Sequence, residues 1–137
     1  MDPLPPDAGT THPGEPLPAA VVLHRGAPGG DHYDVLLAVR TPAGPDDAAC
    51  ATWRAAVDPA EAAPGATFAV EPLPAHRALY LSLARARDLD GGRGTAVPVR
   101  AGDWRRTGDG HIEFRWSDGT ATRVEPLSIT EWRRALP

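Results

Sequence analysis

The sequence predicts a mostly β domain of roughly six to eight short, mainly antiparallel strands with little helix. Three observations predict it. Many of the 14 glycines fall between short apolar runs, where they act as turn punctuation. Late in the chain, Ile112, Phe114 and Trp116 alternate with His111, Glu113 and Arg115, the two-residue period of a half-buried strand. Ser117-Asp118-Gly119, a hairpin signal, then joins that run to the next. A chain of 137 residues is the size of one domain with a modest core, and such a meander closes as a barrel or a sandwich.

The elements follow in order. Residues 1–18 hold proline after proline and few apolar groups, which predicts an extended, disordered tail. His12 lies in it as a solvated bystander. Residues 19–137 form the single folded domain. Ala19–Leu23 is a short apolar run and predicts a buried strand; Arg25–Asp31 is a turn; Tyr33–Arg40 is strongly β in composition. A second turn leads to Cys50–Ala56 around Trp53. Thr67–Glu71 and the apolar run His76–Leu83 come next. The turn Gly91–Gly94 precedes Thr95–Arg100, and Ala101-Gly102-Asp103 turns again into Trp104–Arg106. After the last hairpin, Ser128–Glu131 has the spacing of a capping box, so a short terminal helix and a final strand both fit. Trp53, Trp104 and Trp116 are expected in the core.

Charge narrows the partners. The net charge is −4, and all 14 basic side chains are arginine. That balance disfavours a general nucleic-acid coating protein, which needs a basic footprint, while leaving room for a local arginine-lined groove. Cys50 stands alone and is expected as a small buried side chain. No secretory signal and no membrane-length apolar run are visible, so the expected location is the cytoplasm, away from membranes.

The residues that carry chemistry begin with His32-Tyr33-Asp34 on a strand. Side chains two apart point to one face, so His32 and Asp34 converge, and Tyr33 faces the opposite way. His24 ends the preceding strand, and the glycine-rich turn returns it beside the pair. Two imidazoles and a carboxylate suit a divalent ion such as Mn²⁺ or Zn²⁺.

The order His24, His32-Tyr33-Asp34, Ala51-Thr52-Trp53, His76-Arg77-Ala78-Leu79-Tyr80, Gly91-Gly92-Arg93-Gly94-Thr95 and Gly102-Asp103-Trp104 resembles the 3′-phosphoesterase domain of bacterial ligase D proteins, closer to the short stand-alone members. The likeness spans about residues 19–125. It implies a compact β-barrel and an Mn²⁺-dependent activity that removes a 3′-phosphate or a 3′-terminal ribonucleotide from DNA during end-joining repair. Carried over by position, His24, His32 and Asp34 would hold the metal, while His76 and Tyr80 would engage the phosphate as catalytic groups. Nucleic-acid 3′ ends and end-joining repair proteins are the implied partners.

The chain departs from that pattern at two clamp arginines. Where the family reads HYD-x-R-x-E this chain has Leu36 and Ala38, and Phe68 occupies the place of a second arginine. A leucine cannot replace a planar guanidinium fork. Arg77 and Arg93 are the candidate replacements, with Arg40 and Arg54 behind them. The competing reading is a non-catalytic relative that keeps the barrel as a binding or assembly module. A third is a phosphoesterase for a smaller ester. An arginine aimed into the face of His24, His32 and Asp34 favours catalysis; a face closed by Leu36 and Phe68 favours the module.

Overall fold

The computed structural model describes residues 15–136. The expectation for the tail therefore lies mostly outside the described residues, but its far end is corrected. The first strand already begins at Leu17, whose side chain is buried in the core, so Leu17 and Pro18 belong to the domain.

Nine strands are formed among the described residues: β1 (Leu17–Arg25), β2 (His32–Ala38), β3 (Cys50–Ala55), β4 (Thr67–His76), β5 (Arg87–Asp88), β6 (Thr95–Arg106), β7 (Ile112–Trp116), β8 (Ala121–Pro126) and β9 (Glu131–Arg134). They are antiparallel throughout and lie in one sheet, in the order β1-β2-β3-β4-β9-β8-β7-β6-β5. A further β1–β6 pairing closes that sheet into a ring, giving a barrel-like, mostly β fold. Closure removes the unpaired edges that an open meander would expose. The only helical pieces described are 3₁₀ turns at Pro59–Glu61, Ala78–Leu81 and Asp90–Gly92, and no described helix is long and apolar enough to cross a membrane.

One local expectation is corrected and two left open are settled. Ala101-Gly102-Asp103 is no turn: β6 runs straight through it, because Gly102 lies so close to the Arg115 carbonyl of β7 that only a residue without Cβ fits. The apolar run His76–Leu83 is the end of β4 followed by a 3₁₀ turn. The C-terminal segment is β9, where Trp132 pairs with Phe68 of β4 and with Pro126 of β8.

The ring interior is filled by Trp53, Trp104, Trp132, Phe114, Ile112, Val21, Val35 and Val124, with Trp116 at its margin. Thus Ile112, Phe114 and Trp116 share the buried face as their alternation predicts. Tyr33 also packs against this cluster, away from its neighbours His32 and Asp34. The opposite face of β1, β2 and the adjoining ends of β3 and β6 carries a smaller apolar group, Val22, Leu36, Cys50 and Ala96, against which Tyr80, Leu81, Leu83 and Leu89 pack. The segment from residue 77 to residue 93 therefore forms a roof over that face, and the polar site lies beneath it.

Candidate metal centre

β1 and β2 set the site by register. His24 pairs directly with His32, and Val22 with Asp34, so the two imidazoles and the carboxylate fall on one face at the turn end of the hairpin. The turn between them is held by the Gly26 N–H donating to Asp31 Oδ1 at 2.7 Å and the Gly30 N–H donating to Ala27 O at 3.0 Å. The His24 and His32 rings meet edge to face, 4.8 Å between centroids. One potential ligand atom from each of His24, His32 and Asp34 lies within 4.8 Å of the others. His32 and Asp34 are buried and His24 is half-buried. These are the three residues expected to hold a metal, and they do come together.

His76 arrives from β4. Between Cys50 and Thr52 the β3–β4 register slips, with three steps from Leu73 to His76 set against two on β3. Such a bulge re-aims the side chains that follow it. His76 Nε2 thereby reaches 3.9 Å from Asp34 Oδ2, the same separation that His24 Nδ1 has from that oxygen.

The hydrogen bonds of the three imidazoles follow one scheme. A backbone carbonyl only accepts, so the ring nitrogen facing it carries the proton. His24 Nε2–H donates to Arg93 O (2.5 Å), His32 Nδ1–H to Gly30 O (3.3 Å), and His76 Nδ1–H to Pro74 O (2.9 Å). In the neutral rings this leaves His24 Nδ1, His32 Nε2 and His76 Nε2 as bare lone pairs, all turned toward Asp34. His32 Nε2 is 3.0 Å from Asp34 Oδ1, yet that buried oxygen has no hydrogen-bond partner. Two lone pairs at that distance repel unless a cation lies between or beside them. Imidazoles fixed by carbonyls on their far nitrogens, around an orphaned carboxylate oxygen, are what a divalent ion requires of its surroundings. The residues present fit the ion.

Beside this cluster lies a pocket of about 240 Å³. Its apolar side is Val22, Leu36, Ala96, Leu89 and Tyr80, and its polar side is His24, Asp34, His76, Arg77 and Arg93. Tyr80 meets the His76 ring edge to face at 6.1 Å, and the Arg77 guanidinium sits 5.9 Å over the Tyr80 ring. Arg77 also reaches Asp46 at 3.3 Å, while the Arg93 Nε–H donates to Asp90 O at 2.8 Å. The loop before β3 anchors this wall: Ala78 N–H donates to Asp47 O and Leu79 N–H to Pro45 O. Asp47 in turn is held by the Ala43 N–H and by Arg40, which keep its carboxyl below the usual carboxylate range.

Of the four candidate arginines, Arg77 and Arg93 line the pocket. Arg40 is engaged with Asp47, and Arg54 donates to Gly29 O and lines a separate hollow with Asp31, His32 and Glu71. The two departure positions separate. Leu36 forms part of the pocket wall, whereas Phe68 lies in the ring core against Trp132, so the pair does not close the site. His111 stands elsewhere, near Asp109 and Glu125 on the late hairpins. What sequence reasoning missed is the carbonyl scaffold of Gly30, Pro74 and Arg93 and the approach of His76 to Asp34. Backbone groups leave no residue signal, and the approach depends on the β4 bulge. Comparison with protein-family models, with curated proteins and with solved structures finds no match for this chain.

Proposed function

We propose that the chain is a metal-dependent phosphoesterase acting on nucleic-acid 3′ ends, removing a 3′-phosphate or a terminal ribonucleotide in end-joining repair. The observation that carries the reading is that two arginines, Arg77 and Arg93, line the same pocket as the bare-nitrogen cluster around Asp34. His24, His32 and Asp34 would hold the ion, Mn²⁺ by resemblance with Zn²⁺ as the alternative. A divalent ion held there would polarise a phosphoryl oxygen and offset charge developing on it.

The chain's own residues supply the rest. Arg77 and Arg93 bind and orient the phosphate, replacing the family's clamp; each charge-assisted bond to an anion contributes about 1.5–3 kcal/mol. His76, on the pocket wall, is placed to hold a phosphoryl oxygen or to pass a proton to the leaving oxygen. Tyr80 shapes the wall that carries both His76 and Arg77 and faces the same phosphate. The apolar side excludes water from that half of the pocket, which strengthens each of these contacts.

A second reading has its own support. Leu36 stands on the pocket wall where the resembled family has an arginine, and the net charge is −4, both of which suit a non-catalytic binding module. A gel assay separates the two. A primer–template ending in a 3′-phosphate or a 3′-ribonucleotide is incubated with the protein, with and without Mn²⁺ or Zn²⁺, beside Asp34→Ala. Metal-dependent trimming that the variant lacks is the expected result. Folded, metal-loaded protein that trims neither end leaves the module.

A further inference from the structure

We infer that His76 is a fourth metal ligand in the substrate-free protein, completing a three-histidine, one-carboxylate set with His24, His32 and Asp34. The inference rests on the metal site of the proposed function and adds to it the state of the site before substrate arrives. Three observations carry it.

His24 Nδ1 and His76 Nε2 stand at the same distance, 3.9 Å, from the same oxygen, Asp34 Oδ2. An ion shared by His24 and that oxygen would therefore have His76 Nε2 at the same remove from the oxygen. The far nitrogen of His76 is committed to Pro74 O at 2.9 Å, which makes Nε2 the lone-pair nitrogen, as ligation demands. Finally, His32 Nε2 stands 3.0 Å from Asp34 Oδ1, and the 3.9 Å separations of His24 Nδ1 and His76 Nε2 from Oδ2 are only somewhat longer than the roughly 3.3 Å between two ligands on metal bonds of about 2.0–2.1 Å. His24 and His76, both partly exposed, would each draw inward by a similar small distance, and His76 sits at the very end of β4, just past the bulge.

The consequence is a change of metal class. Three imidazoles and one carboxylate in four-coordinate geometry suit Zn²⁺ or Co²⁺ better than Mn²⁺, which favours oxygen donors in six-coordination. His76 would then release its place to a phosphoryl oxygen when substrate enters. No covalent bond changes in that exchange, and the freed imidazole is left beside the phosphate that Arg77 and Arg93 hold.

The test uses the full chain, with Zn²⁺ as the probe. Histidine ¹⁵N–¹H spectra are recorded with and without one equivalent of Zn²⁺, and affinity is measured by competition with a chromophoric chelator. The expected result is that three imidazoles move to metal-bound nitrogen shifts and that His76→Gln removes one of them. The same variant should weaken Zn²⁺ by roughly 10–100-fold or more, the scale on which even outer partners of a ligand act. His111→Gln, outside the pocket, should leave both readouts as they are. Zn²⁺ bound with only two imidazoles shifted would overturn this inference and leave the proposed function standing. Absence of Zn²⁺, Co²⁺ and Mn²⁺ uptake by folded protein would overturn both. Because the spectra of the unaltered chain decide the ligand count, the outcome does not depend on the folding of His76→Gln.

Discussion

His24 donates through Nε2 to the carbonyl of Arg93 at 2.5 Å, across 69 residues of sequence, and this bond fixes which of its nitrogens faces Asp34. The bond exists because Gly94 lets the chain pass close to β1. Its φ is +92°, and a Cβ there would run into the Arg25 carbonyl and the Gly26 backbone. Gly94→Ala should therefore push Arg93 away, free the His24 ring and weaken Zn²⁺ binding by roughly 10–100-fold without touching a ligand. A metal titration checks it, beside a thermal melt to confirm that the variant is folded. Unchanged affinity in a folded variant would show that the Arg93 carbonyl is not what orients the ring.

Arg93 offers the complementary separation, because its backbone carbonyl serves the metal cluster and its guanidinium is proposed to hold the phosphate. Arg93→Ala keeps the carbonyl and removes the guanidinium. Metal affinity should stay within about twofold of the parent, while kcat/KM on a 3′-phosphate end falls roughly 10–100-fold, the equivalent of one charge-assisted bond. Arg77→Ala should behave alike. Steady-state kinetics at saturating metal, next to the chelator competition, test both. A loss of metal without a loss of turnover would reverse the roles given to these residues.

The ring of antiparallel strands was legible in the sequence because short strands and tight turns announce themselves. Alternation at Ile112–Trp116 and the hairpin at Ser117–Gly119 need no tertiary knowledge. Gly102 was misleading for a physical reason: a glycine demanded by close strand approach and one demanded by a turn look the same in one dimension. The metal trio was legible because the period of two places His32 and Asp34 on one face, and a hairpin must return His24 beside them. The pocket was legible only in part. Tyr80 and Arg77 arrive through a 3₁₀ turn that an apolar run does not announce, and the carbonyls that hold the imidazoles carry no side-chain signature at all.

Cys50 gives a prediction that depends on pH. Its thiol is fully buried beside Val22, Leu36 and Ala96, and burial, with the Asp47 carboxylate adding to it, pushes its pKa from 9.0 to about 11. A folded pKa above the unfolded one means that the unfolded state releases this proton first. The resulting stability is whole below pH 9.0 and is lost as pH rises toward about 11. Denaturant melts across that window should show a steeper loss for the parent than for Cys50→Ala. At neutral pH the native thiol should resist alkylation and become reactive only on unfolding. Rapid labelling of native protein would contradict the burial.

Two tryptophans of the same core should answer differently to the same substitution. Trp104 and Trp53 are both buried, so trimming either to Phe removes ring area and opens a cavity of similar size. They differ at the indole N–H. Trp104 Nε1 donates to Ala38 O at 2.9 Å, which ties β6 across to β2, whereas Trp53 Nε1 is buried without a partner. Trp104→Phe takes one bond from a buried carbonyl, at a cost of about 1–3 kcal/mol beyond the cavity. Trp53→Phe removes a donor whose desolvation already opposes folding, which offsets part of its cavity cost. Urea denaturation should therefore place Trp104→Phe below Trp53→Phe by about 1–3 kcal/mol, with equal m-values. Equal stabilities would mean that the Trp53 N–H has a partner in solution, a bound water being the simplest, and that the two indoles contribute alike; the reverse order would overturn the assignment.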